Sequence, residues 1–228
     1  MSRVSPIPSL YLSVLLSLAA CGGSKDSEDT GGGSSDDGAD GTADDGTDGT
    51  DGTDGTLTGA DLVGTWASGG CEAYDDGSGG QNYLTRTFVM TETQWQLELT
   101  VYGDPDCSYG LFTADIVGPY TLNGAAAVEG ATNGNFGFTS NVWTPLVEDI
   151  ATAFEGSGCG SGAWEVGVGQ DVTATGCFGV AEPIAECPVE YDIVLIDGDD
   201  LFLGERITNM CEEAGRPAAL NAYPVTRQ

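Results

Sequence analysis

Cysteine is the residue type with the clearest chemical role in this 228-residue sequence, which has seven cysteines and no histidine. Cys21 lies near the N-terminus, and the other six are spread over the rest of the chain. In a chain that is exported, an even set of six predicts three disulfides. Because histidine and CxxC pairs are lacking, no zinc site is expected. The six are Cys71, Cys107, Cys159, Cys177, Cys187 and Cys211.

Two predicted hairpins narrow the pairing of these cysteines. Residues 189–196 and 201–205 read as strands on either side of a tight turn, and extending their ladder brings Cys187 opposite Cys211. Residues 163–166 and 172–175 are predicted to form a second hairpin, which brings Cys159 opposite Cys177. Two cysteines remain for the third bridge. Each bridge should stabilise the fold by about 2–4 kcal/mol. The predicted bridges are Cys187–Cys211, Cys159–Cys177 and Cys71–Cys107.

Cys21 follows a short apolar segment that reads as a targeting signal. Residues 10–20 are apolar but about half the length that crosses a bilayer, and Arg3 precedes them, as in a signal peptide. The sequence LAAC at 18–21 resembles the bacterial lipobox. That resemblance implies removal of residues 1–20 and acylation of Cys21, with palmitate or a similar chain, as a membrane anchor. The alternative is an ordinary secretory signal whose cysteine later joins a disulfide.

The location of the anchored protein follows from the residue after the cysteine. Gly22 is no evident inner-membrane retention signal, which favours the bacterial outer membrane, facing either the periplasm or the cell surface. The partners expected from this reading are the membrane itself, through the lipid anchor, and an apolar or acyl ligand. A lipidated protein is a further candidate partner.

Composition separates a linker from one folded domain. Residues 21–56 are almost entirely Gly, Asp, Ser and Thr, and they contain too little apolar surface to offset the entropy of ordering. They are predicted to be a disordered acidic linker, spanning roughly 30 Å on average. The alternative, a calcium-binding repeat, would need a hydrophobic position that is missing here. Residues 57–228 are predicted to form a single domain.

The charge and residue content of this domain bear on its function. It holds 25 of the 36 acidic residues and four arginines, so its negative surface should repel nucleic acid and anionic headgroups. Such a surface suits a saline habitat or diffuse calcium binding. With no histidine, no lysine after Lys25 and no GxSxG motif, no catalytic residue, cofactor or enzyme activity is expected. Acidic pairs such as Asp104/Asp106 lie in predicted loops and read as solvated surface charge.

Alternating apolar residues predict that the domain is all-β. Residues 94–102 place every second residue on one apolar face, and residues 83–91 precede them as the other arm of a hairpin. Arg86 interrupts the apolar face of that first arm. One helix is predicted, with Thr144 as its N-cap and Pro145 at its first position. Many short strands with Gly-rich turns favour an antiparallel barrel or half-barrel. The further predicted strands are 62–67, 111–122, 125–129 and 135–139.

Several motifs resemble those of known families. Gly64-Thr65-Trp66 resembles the GxW motif of lipocalins, whose tryptophan closes the barrel floor beneath an apolar ligand. In the same order as here, a wider set of motifs occurs in the adenomatosis polyposis coli down-regulated proteins, membrane-anchored Wnt antagonists of animals. The set spans nearly all of 64–220 and comprises GTWASGGC at 64–71, YLTRT at 83–87, DPDC at 104–107, CPVEY at 187–191, LFLGER at 201–206 and Arg216-Pro217 with Leu220.

This resemblance implies an extracytoplasmic, lipocalin-like barrel with a hydrophobic pocket for lipid. The chain differs from the animal proteins in carrying one copy of the domain and a lipobox in place of a C-terminal transmembrane helix. We therefore expect acyl-chain binding without Wnt as the partner. The alternatives are a closed core and a calcium-dependent adhesion or scaffold module. The expected ligand-binding wall is formed by Phe88, Met90, Trp95, Leu97, Leu99, Val101, Tyr191 and Ile193.

Two arginines receive specific expectations. Arg86 either contacts a ligand carboxylate or serves the scaffold, by stacking on Trp66 or pairing with a buried acid. Lipocalins stack an arginine from a late strand on the GxW tryptophan, and Arg206 is the better match to that position. A cation–π contact of this kind contributes about 1–2 kcal/mol.

Overall fold

The computed structural model describes residues 55–75, 80–177 and 181–228. The predicted signal peptide, Cys21 and nearly all of the predicted linker lie outside the described residues, so their roles stay predictions. Within the described ranges, no helix is long and apolar enough to span a membrane.

Eight antiparallel strands close into a barrel, which confirms the predicted all-β barrel. The elements of the described residues are α1 Gly59–Leu62, β1 Gly64–Ser68, β2 Glu72–Asp75, β3 Gln81–Met90, β4 Gln94–Tyr102, β5 Gly110–Ala125, β6 Thr132–Gly137, β7 Ser140–Pro145, α2 Glu148–Gly156, β8 Gln170–Asp171, β9 Val189–Asp197, β10 Asp200–Leu203, the 3-10 turn Glu213–Gly215 and β11 Val225–Arg227. Around the barrel the strands follow the order β1, β3, β4, β5, β6, β9, β10, β11 and back to β1. The strands β2, β7 and β8 lie beside the barrel, together with the helices and the 3-10 turn.

Three long strands, β3, β4 and β5, extend beyond the barrel. On one side of β5, Gln94–Tyr102 runs along most of its length; on the other side, β7 pairs with its first half and β6 with its second half. In the same way β3 pairs first with β2 and then with β1. The strands therefore belong to the barrel at one end and to an open sheet at the other, and α2 covers that open sheet.

Each half of the structure has its own apolar core. The barrel core contains Leu62, Trp66, Phe88, Met90, Trp95, Tyr120, Phe136, Val194, Leu201 and Val225. The second core lies between α2 and the open sheet. It contains Val101, Leu111, Phe112, Ala114, Trp143, Ile150, Ala151, Phe154, Cys159, Trp164, Val172 and Cys177. Ile116 on β5 packs against both cores and so marks where they meet.

The three predicted disulfides are all present: Cys71–Cys107, Cys159–Cys177 and Cys187–Cys211. The β9–β10 hairpin is also confirmed, although its ladder ends at Leu203. The predicted hairpin over 163–175 is wrong, because Gln170–Asp171 pairs with β7 and Trp164 turns inward to donate a hydrogen bond to the Cys159 carbonyl. The Cys159–Cys177 disulfide nevertheless forms, because Cys159 follows α2 into the same core that contains Cys177.

Two other elements differ from prediction. The helix begins at Glu148 instead of near Thr144, because Thr144 and Pro145 continue β7 along β5, opposite Thr113 and Phe112. The predicted strand 125–129 is a turn, in which the Ala126 amide bonds the carbonyl of Ala131.

Candidate functional site

The apolar face predicted from the hairpin runs along β3 and β4. In the observed register Met90 lies opposite Trp95, Phe88 opposite Leu97, and Arg86 opposite Leu99. Residues opposite each other in an antiparallel pair point to the same side of the sheet. One face therefore holds six of the predicted wall residues, with Arg86 between them. The six are Phe88, Met90, Trp95, Leu97, Leu99 and Val101.

This face passes from one core into the other. Phe88, Met90 and Trp95 are buried in the barrel core, and Leu97 packs against them. Val101, with Leu99 beside it, belongs to the core under α2. The predicted wall thus lines no single compartment, because the long strands carry it across the boundary between the two cores.

Trp95 fills much of the barrel interior. Its ring meets Phe136 and Phe138 edge-on, with centroids 5.6 and 5.8 Å apart. Its indole N–H donates to the Gly137 carbonyl at 2.9 Å. Such contacts fix a large aromatic side chain in one orientation. At this level the barrel is occupied by its own side chains.

Arg86 lies at the boundary between the cores and forms a buried ion pair with Glu72 on β2. Its Nη2 is 2.9 Å from Oε2 of Glu72, and its Nε donates to Oε1 at 3.2 Å. The side chains of the two residues are only 12% and 8% exposed. Nη2 also donates to the Tyr223 carbonyl at 2.7 Å, and Ser68 donates to Glu72 at 2.5 Å. Of the two roles expected for Arg86, the geometry matches pairing with a buried acid.

A cleft opens next to this ion pair. It is open to solvent, has a volume of about 270 Å³ and lies between the β1–β2 turn and the start of β11. Glu72 and Tyr223 line it, and both accept hydrogen bonds from Arg86, which therefore borders the cleft. Its volume is slightly below the range of typical small-molecule pockets. The other lining residues are Gly69, Gly70, Cys71, Asp200, Pro224 and Thr226.

The opposite end of the barrel is closed by α1 and Trp66. Trp66 is fully buried and donates its indole N–H to the Leu62 carbonyl at 2.8 Å. A guanidinium lies 4.0 Å above its ring, but it belongs to Arg227. Arg227 also donates to the carbonyls of Val63 and Asp61. This is the tryptophan–arginine floor that the lipocalin resemblance implies, with a different arginine from the one expected.

The expectation that Arg206 stacks on Trp66 is therefore wrong. The β1–β11 register places Arg227 opposite Trp66, whereas the chain leaves the ladder after Leu203, before it reaches Arg206. Arg206 instead pairs with Glu190 at 2.5 Å, and its side chain is 58% exposed.

Much of the barrel floor and of the predicted wall lies in a segment that matches the model of a known family. Residues 50–158 match the family model described as Adenomatosis polyposis coli down-regulated 1. The matched segment contains Trp66, the Arg86–Glu72 ion pair and the six wall residues of β3 and β4, but not Arg227. The match is compatible with a ligand-binding barrel.

Tyr191 and Ile193 lie on β9, outside the matched segment and away from the other wall residues. Val194 and Ile196 of this strand belong to the barrel core. Because side chains alternate along a strand, Tyr191 and Ile193 point to the opposite side. The Tyr191 ring lies 5.3 Å beneath the guanidinium of Arg216. The prediction that Tyr191 and Ile193 line the barrel was wrong, because the alternate residues of β9, Val194 and Ile196, face its core.

The chain between β10 and β11 folds over this outer side of β9, and sequence reasoning missed how it is fixed. Arg216 donates to the carbonyls of Gly134 and Asp192 and to the side-chain oxygen of Asn135, which lie on β6 and β9. The Asp192 carboxyl accepts the Gly204 amide at 2.9 Å, and burial raises its pKa. The Cys187–Cys211 disulfide adds a covalent tie.

The calcium-dependent alternative finds little support in the positions of the acidic side chains. Within the described ranges, no three Asp, Glu or Cys side chains come together as a set of possible metal ligands. Asp104, one of the predicted loop acids, accepts hydrogen bonds from Ser108 and Tyr109, which lower its pKa. Its carboxylate is thus engaged in holding the loop.

Proposed function

We propose that this protein is a membrane-anchored extracytoplasmic lipoprotein that binds a fatty-acyl or similar apolar ligand. The observation that carries the proposal is the apolar face that runs from the barrel core into the second core, with a cleft beside it. The similarity of residues 50–158 to the adenomatosis polyposis coli down-regulated family supports the same reading. A lipid-modified protein is a natural source of such an acyl chain.

The boundary between the two cores is the proposed binding position. Trp66 and Trp95 already fill the closed end of the barrel, so an acyl chain would disrupt less packing by inserting near Leu97 and Leu99. Arg86 borders the cleft and lies opposite Leu99 in the β3–β4 register, so the proposed route of entry runs from the cleft past the ion pair. A chain that buries about ten methylenes gains roughly 8 kcal/mol from transfer out of water, and the affinity is what remains of this gain after the cost of association.

Binding of a fluorescent acyl probe tests this proposal. We expect about one probe per domain with micromolar affinity or better, and we expect Gly70→Trp to reduce it at least tenfold by filling the cleft. A Cβ atom added at Gly70 would meet no atom within 4 Å, so a side chain can leave the backbone there without a clash. Gly162→Trp is the matched control, because Gly162 is equally free of neighbours and does not line the cleft.

Three outcomes of the probe experiment are informative. Reduced binding in Gly70→Trp alone supports the cleft as the route of access. Unchanged binding in a folded Gly70→Trp protein contradicts that route. A folded wild-type domain that ignores every acyl probe contradicts ligand binding and leaves the closed core as the better description.

The anchor is tested separately at Cys21, which lies outside the described residues. We expect Cys21→Ser to be exported without its lipid and to move from the detergent phase to the aqueous phase on phase separation, because the acyl chains supply the membrane affinity. Continued labelling with palmitate in this variant would contradict the lipobox reading. Fractionation of the wild-type protein tests the proposed outer-membrane location.

A further inference from the structure

We infer that the cleft beside Arg86 selects apolar ligands with an uncharged or cationic head group and rejects free carboxylates. This inference rests on the proposed function, because it specifies the ligand class of the same site. It reverses the expectation that Arg86 would hold the carboxylate of a fatty acid. Three observations carry it: the state of Arg86, the state of the other arginines, and the charges that line the cleft.

The positive charge of Arg86 is already offset by a buried partner. Glu72 receives both its Nε and its Nη2, and the Tyr223 carbonyl receives Nη2 as well. A ligand carboxylate that displaced Glu72 would leave this buried side chain without its counterion, and one that bound beside Glu72 would meet a guanidinium whose charge is already offset. A buried carboxylate without a counterion is strongly unfavourable. The pair as it stands presents a neutral unit to the cleft.

The other arginines of the described residues cannot replace it. Arg227 is held over Trp66 at the floor of the barrel, and Arg216 is bonded to β6 and β9. Arg206 pairs with Glu190 and does not line the cleft. No lysine follows Lys25 in the sequence, so the domain has no other side chain with a permanent positive charge.

The cleft carries a net negative charge. Glu72 and Asp200 both line it; Arg86 offsets the charge of Glu72 but not that of Asp200, whose carboxylate accepts a hydrogen bond from the Thr226 hydroxyl at 2.7 Å. The remainder of the domain adds many more carboxylates than arginines. An anionic head group entering here would meet like charges in a site of reduced dielectric, which weakens its binding, whereas a cation would be attracted.

Three probes with the same twelve-carbon chain test this inference on the wild-type protein: dodecanoate, its methyl ester and dodecylammonium. We expect the ester and the ammonium to bind at least tenfold more tightly than the carboxylate at low ionic strength. Added salt should narrow the difference between the two charged probes, because it screens the field of the domain. Equal or tighter binding of dodecanoate would overturn the inference.

Glu72→Gln provides a gain-of-function test. The substitution keeps the shape of the side chain but leaves Arg86 with an uncompensated positive charge, so dodecanoate should bind about tenfold more tightly and the ester should be unaffected. Glu190→Gln is the matched control, because it frees Arg206 away from the cleft and should change neither. A folded Glu72→Gln protein with no gain for dodecanoate would overturn the inference.

The two levels of proposal fail in different ways. Failure of all three probes to bind wild-type protein contradicts the proposed function and the inference with it. Tight binding of dodecanoate contradicts the inference alone. Should Glu72→Gln fail to fold, the comparison of the three probes on wild-type protein decides the question without it.

Discussion

Replacing Arg86 with methionine should lower the free energy of unfolding by about 3–5 kcal/mol, the effect of breaking a buried ion pair from one side. Methionine keeps much of the length and packing of arginine but leaves the buried Glu72 without a counterion. Chemical denaturation, followed by tryptophan fluorescence, measures the change. Because the loss is structural, it should weaken binding of the acyl ester as well as of the acyl acid.

Two further variants control this experiment. Arg86→Met combined with Glu72→Met replaces the pair by apolar side chains and should recover most of the loss. Arg206→Met breaks the more exposed pair with Glu190 and should change stability by no more than about 1 kcal/mol. A loss for Arg86→Met as small as that for Arg206→Met would show that the Arg86–Glu72 pair contributes little to stability.

Trp95→Asp should leave no folded domain. Loss of a buried tryptophan to alanine typically removes 3–5 kcal/mol, and burial of an unpaired carboxylate adds several more, which together approach the whole stability of a domain at about 5–15 kcal/mol. Near-ultraviolet circular dichroism should show that tertiary packing is lost. Abolished ligand binding in this variant would therefore report unfolding.

Val89→Asp is the matched control for Trp95→Asp. Val89 lies on the neighbouring strand beside Met90, but the residue is 46% exposed. The same charge there should leave the fold intact. A folded Trp95→Asp protein would contradict a filled barrel, since only an interior open to water could accommodate the carboxylate.

The parts of the fold that could be predicted are those in which neighbouring segments pair. The β3–β4 and β9–β10 hairpins follow from apolar residues at every second position. This pattern is local, so it does not depend on how the rest of the chain pairs. Arg86 could be singled out on the same grounds, because it interrupts the alternating apolar pattern of its strand. The pattern did not predict the partner of Arg86, since Glu72 follows a cysteine in a short strand with no alternation of its own.

The parts that could not be predicted depend on long-range pairing. The strand that closes the barrel, Val225–Arg227, has three residues, too few for any periodicity, yet its register decides which arginine meets Trp66. The predicted start of α2 was wrong for a similar reason. Thr144 and Pro145 are residue types that favour a helix start, but both pair with β5 as part of β7. A tertiary ladder thus overrode a local preference.

Closure of the barrel has a consequence for where the folding unit ends. The segment that matches the family model stops at residue 158, after α2 and before β9, β10 and β11. A fragment cut to that segment would leave β1 and β6 with unpaired backbone amides and carbonyls along their outer edges, which are templates for edge-to-edge aggregation. Arg227, over Trp66, would be lost with them. The smallest independently folding piece therefore reaches to the last strand, well beyond the part in which the family resemblance is detected.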